Sequence, residues 1–328
     1  MSIRAVVQGC GHAVPTKVLT NFDLEKLVET SDEWIVQRTG IKERRVCAPG
    51  ESTGSLTVQA AQEALKASNI SAEELDLVIV GTVTGEFIWP STACYVQDQI
   101  GAKNAGAFDI SAACAGFIYS LQVGAAMIES GVAKTILVLG VDCLSKQLDY
   151  TDRSTCILFG DAAAGVVLRG EENTDRGVLK TVLRSDGDGI KHINLEVGGN
   201  RYPTGSPEAE GHRDKLFMAG SEVYRFAVNA MSDACLSVLS QAGMTIDDID
   251  LFVPHQANLR IINSSAEKLG LPEEKVFVNV HKYGNTSGGS IPLALYEAEK
   301  EGRLKKGDAV LTVGFGAGLV WGANIIRW

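Results

Sequence analysis

Short, wholly apolar runs alternate with longer amphipathic stretches along the entire chain. The runs at 76–82, 107–111 and 135–141, and again at 250–255, 275–280 and 309–314, predict strands. A strand that is apolar at every position, not every second one, is covered on both faces, which is the habit of mostly parallel sheets with helices between their strands. One helical stretch differs from its neighbours. After Ser111 the chain carries Phe117, Ile118, Leu121, Val123, Met127 and Ile128, apolar around most of the helix circumference. Such a helix belongs inside a molecule.

The pattern also repeats. Residues 64–79 (ALKASNISAEELDLVI) align with 238–253 (VLSQAGMTIDDIDLFV), pairing Leu65 with Leu239, Asp76 with Asp250 and Leu77 with Leu251, each 174 residues apart. The same offset pairs Ile136–Gly140 with Val310–Gly314. Two separate segments sharing one offset indicate two copies of a unit. The fold class is therefore α/β, with an N-terminal half at 1–170, a C-terminal half at 171–328, and sheet and helix packed in layers. Residues 185–214, rich in Gly, Pro and charge, are read as a long surface loop between the halves. Two readings stay open for that loop: a mobile element at a site mouth, or a passive linker.

Composition narrows the class. With 45% apolar and 21% charged residues, the chain of 328 residues has enough material for a large buried core. A net charge of −10 and the lack of a basic stripe argue against nucleic-acid binding. No apolar run reaches membrane-spanning length, and the N-terminal stretch lacks the apolar core of a secretion signal. Seven cysteines with no C-x-x-C spacing point away from zinc and thioredoxin-like chemistry. Their odd number fits a reducing, cytoplasmic setting.

Three residues carry the candidate chemistry. Cys114 stands where an apolar strand gives way to the buried helix, among small neighbours. A thiol at a helix N-terminus is expected to have a lowered pKa. Position alone leaves a core cysteine and a nucleophile equally open. His255 follows the 250–255 strand, at the carboxyl end where α/β sheets place ligands. Asn285 occupies a Gly-rich turn read as following a strand, where Asn is ordinarily a cap or turn residue. By the duplication, all three are expected to meet between the halves, supplying one nucleophile and two neutral hydrogen-bond donors.

Cys114 in DISAACAGF, His255 in VPHQANLRI and Asn285 in YGNTSGGSIP resemble the Cys-His-Asn triad of the β-ketoacyl-acyl-carrier-protein synthase III family, within the thiolase superfamily. TSDEWIVQRTGIKER, TDRST, FGDAAAG and the ending GFGAGLVWGANIIRW agree, so the resemblance spans the chain. Elongating ketosynthases carry a second His in place of the Asn, and thiolases a second Cys near the C-terminus, where this chain has GFGAG. The resemblance implies a thiolase-like α-β-α-β-α sandwich. It also implies decarboxylative condensation of a short acyl-CoA, acetyl-CoA in type, with a malonyl-acyl-carrier protein, initiating type II fatty acid synthesis through an acyl-Cys114 intermediate. It calls for no metal and no cofactor beyond the coenzyme A thioester itself.

It further implies an oxyanion hole from the backbone at Cys114 and Ala317, where relatives more often have Gly, with Phe315 as an active-site wall. Thr30, Trp34, Arg38, Arg153 and Asn258 would contact coenzyme A. For Trp34 the surrounding amphipathic segment by itself favours core packing. Arg225, Arg260 and Lys268 would meet the acyl-carrier protein, with Glu267 where some relatives carry a second Lys. Trp89 would shorten the acyl pocket near a subunit interface, favouring an acetyl or propionyl starter, and the protein would be a homodimer. A Cys-His-Asn condensing enzyme of secondary metabolism, and an acyl-CoA:carrier transacylase or thioesterase, share the cysteine step and are the alternatives.

Overall fold

In the computed structural model, which describes residues 3–328, nine strands form two sheets of matching order. The first runs Ile3–Ala13, Asp161–Glu172, Thr135–Cys143, Leu77–Gly81, Gly106–Ile110. The second runs Gly177–Ser185, Val320–Arg327, Ala309–Gly316, Leu251–Pro254. In each, the first two pairs in that order are antiparallel and the third is parallel, and in the first sheet the edge pair Leu77–Gly81 and Gly106–Ile110 is parallel as well. Helices Gly116–Glu129 and Ser290–Lys300 pack against both sheets, while Thr53–Ser68 and Gly220–Ala242 cover the outer faces. The layers therefore read α-β-α-β-α, and the all-round apolar helix 116–129 lies in the middle one, as its sequence pattern requires.

The repeat extends to side-chain chemistry. A short helical turn, Ala72–Glu74 or Ile246–Asp248, precedes each central strand, closed by a reciprocal capping box at Ser71/Glu74 and Thr245/Asp248. Asp76 then accepts the backbone N–H groups of Lys134 and Thr135 at 2.7 and 2.9 Å, and Asp250 accepts that of Ala309 at 2.8 Å. In both units the same acid pins the start of the neighbouring strand.

The chain crosses from one sheet to the other between Glu172 and Gly177. The expected limit after residue 170 falls just inside the strand Asp161–Glu172, and the half's first two residues lie outside those described. The expected loop at 185–214 follows the first strand of the second unit instead of separating the units. It contains short helical turns at Gly187–His192 and Pro207–Ala209, and Ile193–Asn194 pairs with Phe217–Met218.

The strand expected at 275–280 is not formed. Glu273–Lys275 is a helical turn, Val276 makes one bridge to Phe252, and Val280–Tyr283 is helical. The cause is Gln256. Its Oε1 accepts the N–H groups of Asn279 and Val280, and its Nε2 donates to Phe277 O and Pro254 O. A buried side chain thus takes the bonds a sheet neighbour would have made. No described helix is long and apolar enough to cross a membrane.

Candidate active site

The strand Gly106–Ile110 delivers the chain to a tight helical turn, Ala113–Ala115, before the buried helix begins at Gly116. Cys114 sits in that turn. Ala113 holds a positive φ of 44°, and Ser287, which faces Cys114 from the Asn285 turn, has φ 50°. The other described non-glycine residues with positive φ, Asn69 and Asn173, are of a type that tolerates it. Strain of this kind, on the order of 1–3 kcal/mol per residue, persists only where the surroundings enforce it. Here two such residues flank one sulfur: Ser287 Oγ lies 3.2 Å from Cys114 Sγ.

The expected low thiol pKa is not found. Burial pushes the Cys114 thiol up to about 12, against the pull of the Ser287 hydroxyl and its own backbone N–H, with Asp142 adding to the rise. Taking the sulfur out of water disfavours its charged form. The resting residue is a thiol.

His255 directly follows the strand Leu251–Pro254, and its N–H is fixed to Val313 O at 2.7 Å. Burial pushes its pKa down to about 3, so the ring is neutral. Nδ1 lies 2.6 Å from Ser290 Oγ, which also accepts Gln256 N–H at 3.4 Å. We assign the Ser290 hydroxyl hydrogen to Nδ1 and hence the ring proton to Nε2, the tautomer that presents a donor to the cavity. Nε2 is buried and has no partner. A buried, unpartnered donor costs about 1–3 kcal/mol, a penalty lifted by an incoming acceptor.

Asn285 follows the helical turn Val280–Tyr283 instead of a strand, and its backbone is clamped to Leu158 O and Gly160 N. Its Oδ1 accepts Ser287 N–H at 2.9 Å, which leaves the Nδ2 hydrogens for the cavity. Phe315 stands edge-on to His255 with ring centroids 5.6 Å apart. A Cβ on Gly316 would lie 2.6 Å from Cys114 N, so only glycine lets this strand end press against the Cys114 turn.

Cys114, His255, Asn285, Phe315 and Ala317 all line one cavity of about 320 Å³. Trp34, Arg38 and Asn258 line it too, as do Ile193, Leu216 and Met218 around the 185–214 segment, which lies against the site. Trp34 is half-buried against the core yet carries the Arg153 guanidinium 5.2 Å and the Arg38 guanidinium 5.6 Å from its ring centroid. The Arg153 guanidinium thus lies directly over the Trp34 ring. Thr30 and Arg153 do not line the cavity, although the Thr30 hydroxyl is buried without a partner. Asn258 caps helix Leu259–Leu269 through Arg260 N and donates to Arg38 O, so both ends of its amide are engaged.

Trp89 stands apart from the cavity and is 83% exposed; Val83 is the residue of that loop that reaches the lining. Arg225, Arg260 and Lys268 are exposed on the packed helices Gly220–Ala242 and Leu259–Leu269. Arg260 lies over Tyr224, and Lys268 binds Asn229 across the helix pair.

Sequence reasoning missed Ser287, Ser290, Gln256 and Asp142. Asp142 had a visible signal, being a carboxylate inside an otherwise apolar run, and such a residue is almost never fully buried unless paired, as it is here with Thr82, Val83, Thr84 and Gly288.

Two family models match the chain: 3-oxoacyl-(acyl-carrier-protein) synthase III over residues 108–187, and the C-terminal part of the same family over 239–328. A beta-ketoacyl-(acyl-carrier-protein) synthase III of Symbiobacterium thermophilum is 50% identical over 331 aligned positions, covering 100% of this chain and 99% of that one. One from Caldanaerobacter subterraneus subsp. tengcongensis is 47% identical, covering 99% and 98%. The crystal structure of 3-oxoacyl-(acyl-carrier-protein) synthase III from Aquifex aeolicus superposes with a TM-score of 0.91 at 47% identity, covering 99% of this chain and 100% of that one.

Proposed function

The chain belongs to the 3-oxoacyl-(acyl-carrier-protein) synthase III family, and from that premise we propose that Cys114, His255 and Asn285 carry its reaction. It is an acyl-transferring condensing enzyme of fatty acid biosynthesis, and it performs the initiating condensation. An acyl-CoA, with acetyl-CoA as the starter, acylates Cys114 and releases coenzyme A. The oxyanion is met by the backbone N–H groups of Cys114 and Ala317. A malonyl-acyl-carrier protein then enters, its thioester carbonyl accepting hydrogen bonds from His255 Nε2 and Asn285 Nδ2. As CO₂ departs, its bonding pair stays on the α-carbon as an enolate that both donors stabilise. The carbanion attacks the acyl carbon, the Cys114 thiolate leaves, and the product is a 3-ketoacyl-carrier protein. No base need remove a proton from carbon, which suits a neutral His and an amide. Phe315 disfavours the malonyl carboxylate and favours its loss.

The single observation that supports this most is His255 Nε2, buried and unpartnered in the cavity that Cys114 and Asn285 share. Coenzyme A is held at the mouth by Trp34 and Arg153, with Thr30, Arg38 and Asn258 nearby. The acyl-carrier protein docks on Arg225, Arg260 and Lys268. A second copy of the chain covers Val83, Phe87, Ile88 and Trp89, whose exposures of 46, 51, 90 and 83% make one apolar strip. Trp89 then approaches a cavity across the subunit boundary. The enzyme works in the cytoplasm, the setting that seven free cysteines suit.

Intact mass after incubation with acetyl-CoA, followed by addition of malonyl-carrier protein, tests the reading. One acetyl adduct on Cys114, discharged with CO₂ and acetoacetyl-carrier product, is expected. Discharge to water or to the carrier thiol without CO₂ would refute it.

A further inference from the structure

The Cys114 sulfur carries negative charge twice in the reaction: as it attacks the acyl-CoA, and as the acyl group leaves it for the carbanion. Burial makes that charge costly, yet the donors described so far act on oxygen. The backbone N–H groups of Cys114 and Ala317 serve the oxyanion, and His255 and Asn285 serve the malonyl thioester.

Among the described residues, one side chain donates to the sulfur itself. Ser287 Oγ lies 3.2 Å from Cys114 Sγ. Ser287 is 1% exposed, so water does not compete for its hydroxyl. Its backbone is fixed on both sides. Its N–H donates to Asn285 Oδ1 at 2.9 Å, and the next N–H, of Gly288, donates to Asp142 Oδ2 at 3.1 Å. Asp142 is itself fully buried and held by Thr82, Val83 and Thr84 through Oδ1. A Cβ on Gly288 would lie 3.1 Å from Gly81 O, so the turn packs closely against the first sheet. Ser287 takes φ 50°, a conformation that suits glycine, and two glycines follow it. The chain nevertheless places a hydroxyl at this position, where backbone conformation alone would favour none.

We propose that Ser287 is a further catalytic residue of the condensation: its hydroxyl donates a hydrogen bond to Cys114 Sγ that strengthens whenever the sulfur is anionic. The inference rests on Cys114 being the nucleophile. A hydrogen bond to a charged acceptor is roughly twice as strong as one to a neutral acceptor. The thioester sulfur of the acyl-enzyme is a weak acceptor, so the bond favours both transition states over the intermediate between them. In acylation the Cys114 S–H bond and the acyl-CoA C–S bond break, a C–S bond forms at Cys114, and the proton ends on the departing coenzyme A sulfur. In condensation the C–S bond at Cys114 breaks, its electron pair stays on sulfur, and the thiolate takes a proton from solvent afterwards. Ser287 keeps its own proton throughout. Burial raises the Cys114 thiol, the Ser287 hydroxyl is the foremost influence lowering it, and Asp142 adds to the rise. The other titratable groups around the cavity are neutral His255, Arg38 and Tyr224.

The test compares wild type, Ser287→Ala and Ser287→Gly in two reactions of Cys114, each followed by peptide mass: single-turnover acetylation by acetyl-CoA, and alkylation by iodoacetamide between pH 7 and 10. Both variants are expected to slow acetylation about 10- to 100-fold. Their alkylation profile should be displaced upward by about one pH unit, because the thiolate has lost its donor. Malonyl-thioester decarboxylation is measured in a Cys114→Ala background, where Ser287 has no sulfur to meet; adding either substitution there should change it less than about threefold. Acetylation and alkylation within threefold of wild type would overturn the assignment. So would a fall of decarboxylation in parallel with acetylation, which marks a structural role. If Ser287→Ala does not fold, Ser287→Gly decides, since glycine adopts the positive φ without strain. A wild type that forms no acyl adduct overturns the nucleophile itself, whereas an adduct formed equally fast by all three proteins overturns the role of Ser287 alone.

Discussion

His255 offers a stability measurement that reads the electrostatics of the site without substrate. Its folded pKa is depressed by burial from 6.5 to about 3. The unfolded chain therefore binds a proton between those values that the folded chain does not, and stability falls as pH drops through that window. Each pKa unit is worth about 1.4 kcal/mol, so the cost at pH 7 is about 0.2 kcal/mol, while at pH 5 it is about 2 kcal/mol. His255→Gln keeps a neutral amide in the same space and removes the titration. The variant is expected to start less stable, having lost the Ser290 contact, but to lose about 2 kcal/mol less than wild type between pH 7 and pH 5. For a chain of this length that is about 3 °C in the difference of the two melting-temperature shifts. All other titrating groups are common to both proteins and cancel. Scanning calorimetry at the two pH values decides it. Equal losses in wild type and variant would show that the ring protonates in place, and that its neutrality does not come from burial.

Three further outcomes follow from the geometry. Ser290→Ala frees the His255 ring to adopt the other tautomer; malonyl decarboxylation should fall about 10- to 100-fold, the worth of one buried hydrogen bond, with Cys114 acetylation nearly unchanged. Gly140→Ala places a methyl 2.1 Å from Gly288 O, so the Asn285 turn must shift; a loss of about 1–3 kcal/mol in a denaturant titration and a collapse of condensation activity are expected. Trp34→Ala removes the stacking surface flanked by Arg153; the KM for acetyl-CoA should rise about tenfold with kcat little changed, whereas a purely structural Trp34 would lower the melting point and leave KM alone.

Much of this architecture was legible in residue order because its causes are local. Apolar runs mark strands covered on both faces, an all-round apolar helix can only be central, and the 174-residue offset brings Asp76 and Asp250 to the same duty in two sheets. The motifs around Cys114, His255 and Asn285 were legible as a resemblance, and those three residues line one cavity. Tertiary structure decided what depends on side chains distant in sequence. Gln256 captures the N–H groups of Asn279 and Val280, so an apolar run with strand character makes only one bridge. The position of Cys114 at a helix start suggested a low pKa, but desolvation is set by every group that closes over the sulfur, and it reversed the sign. Trp89 and Arg153 were placed by likeness; in the single chain Trp89 is exposed and the Arg153 guanidinium lies 5.2 Å from the Trp34 ring centroid, because exposure and stacking depend on what else packs there. Ser287 and Cys114 are separated by 173 residues and meet only where the two units join. Periodicity reports the faces an element must bury, while the charge state of a buried group belongs to its whole neighbourhood, and only the folded chain assembles that.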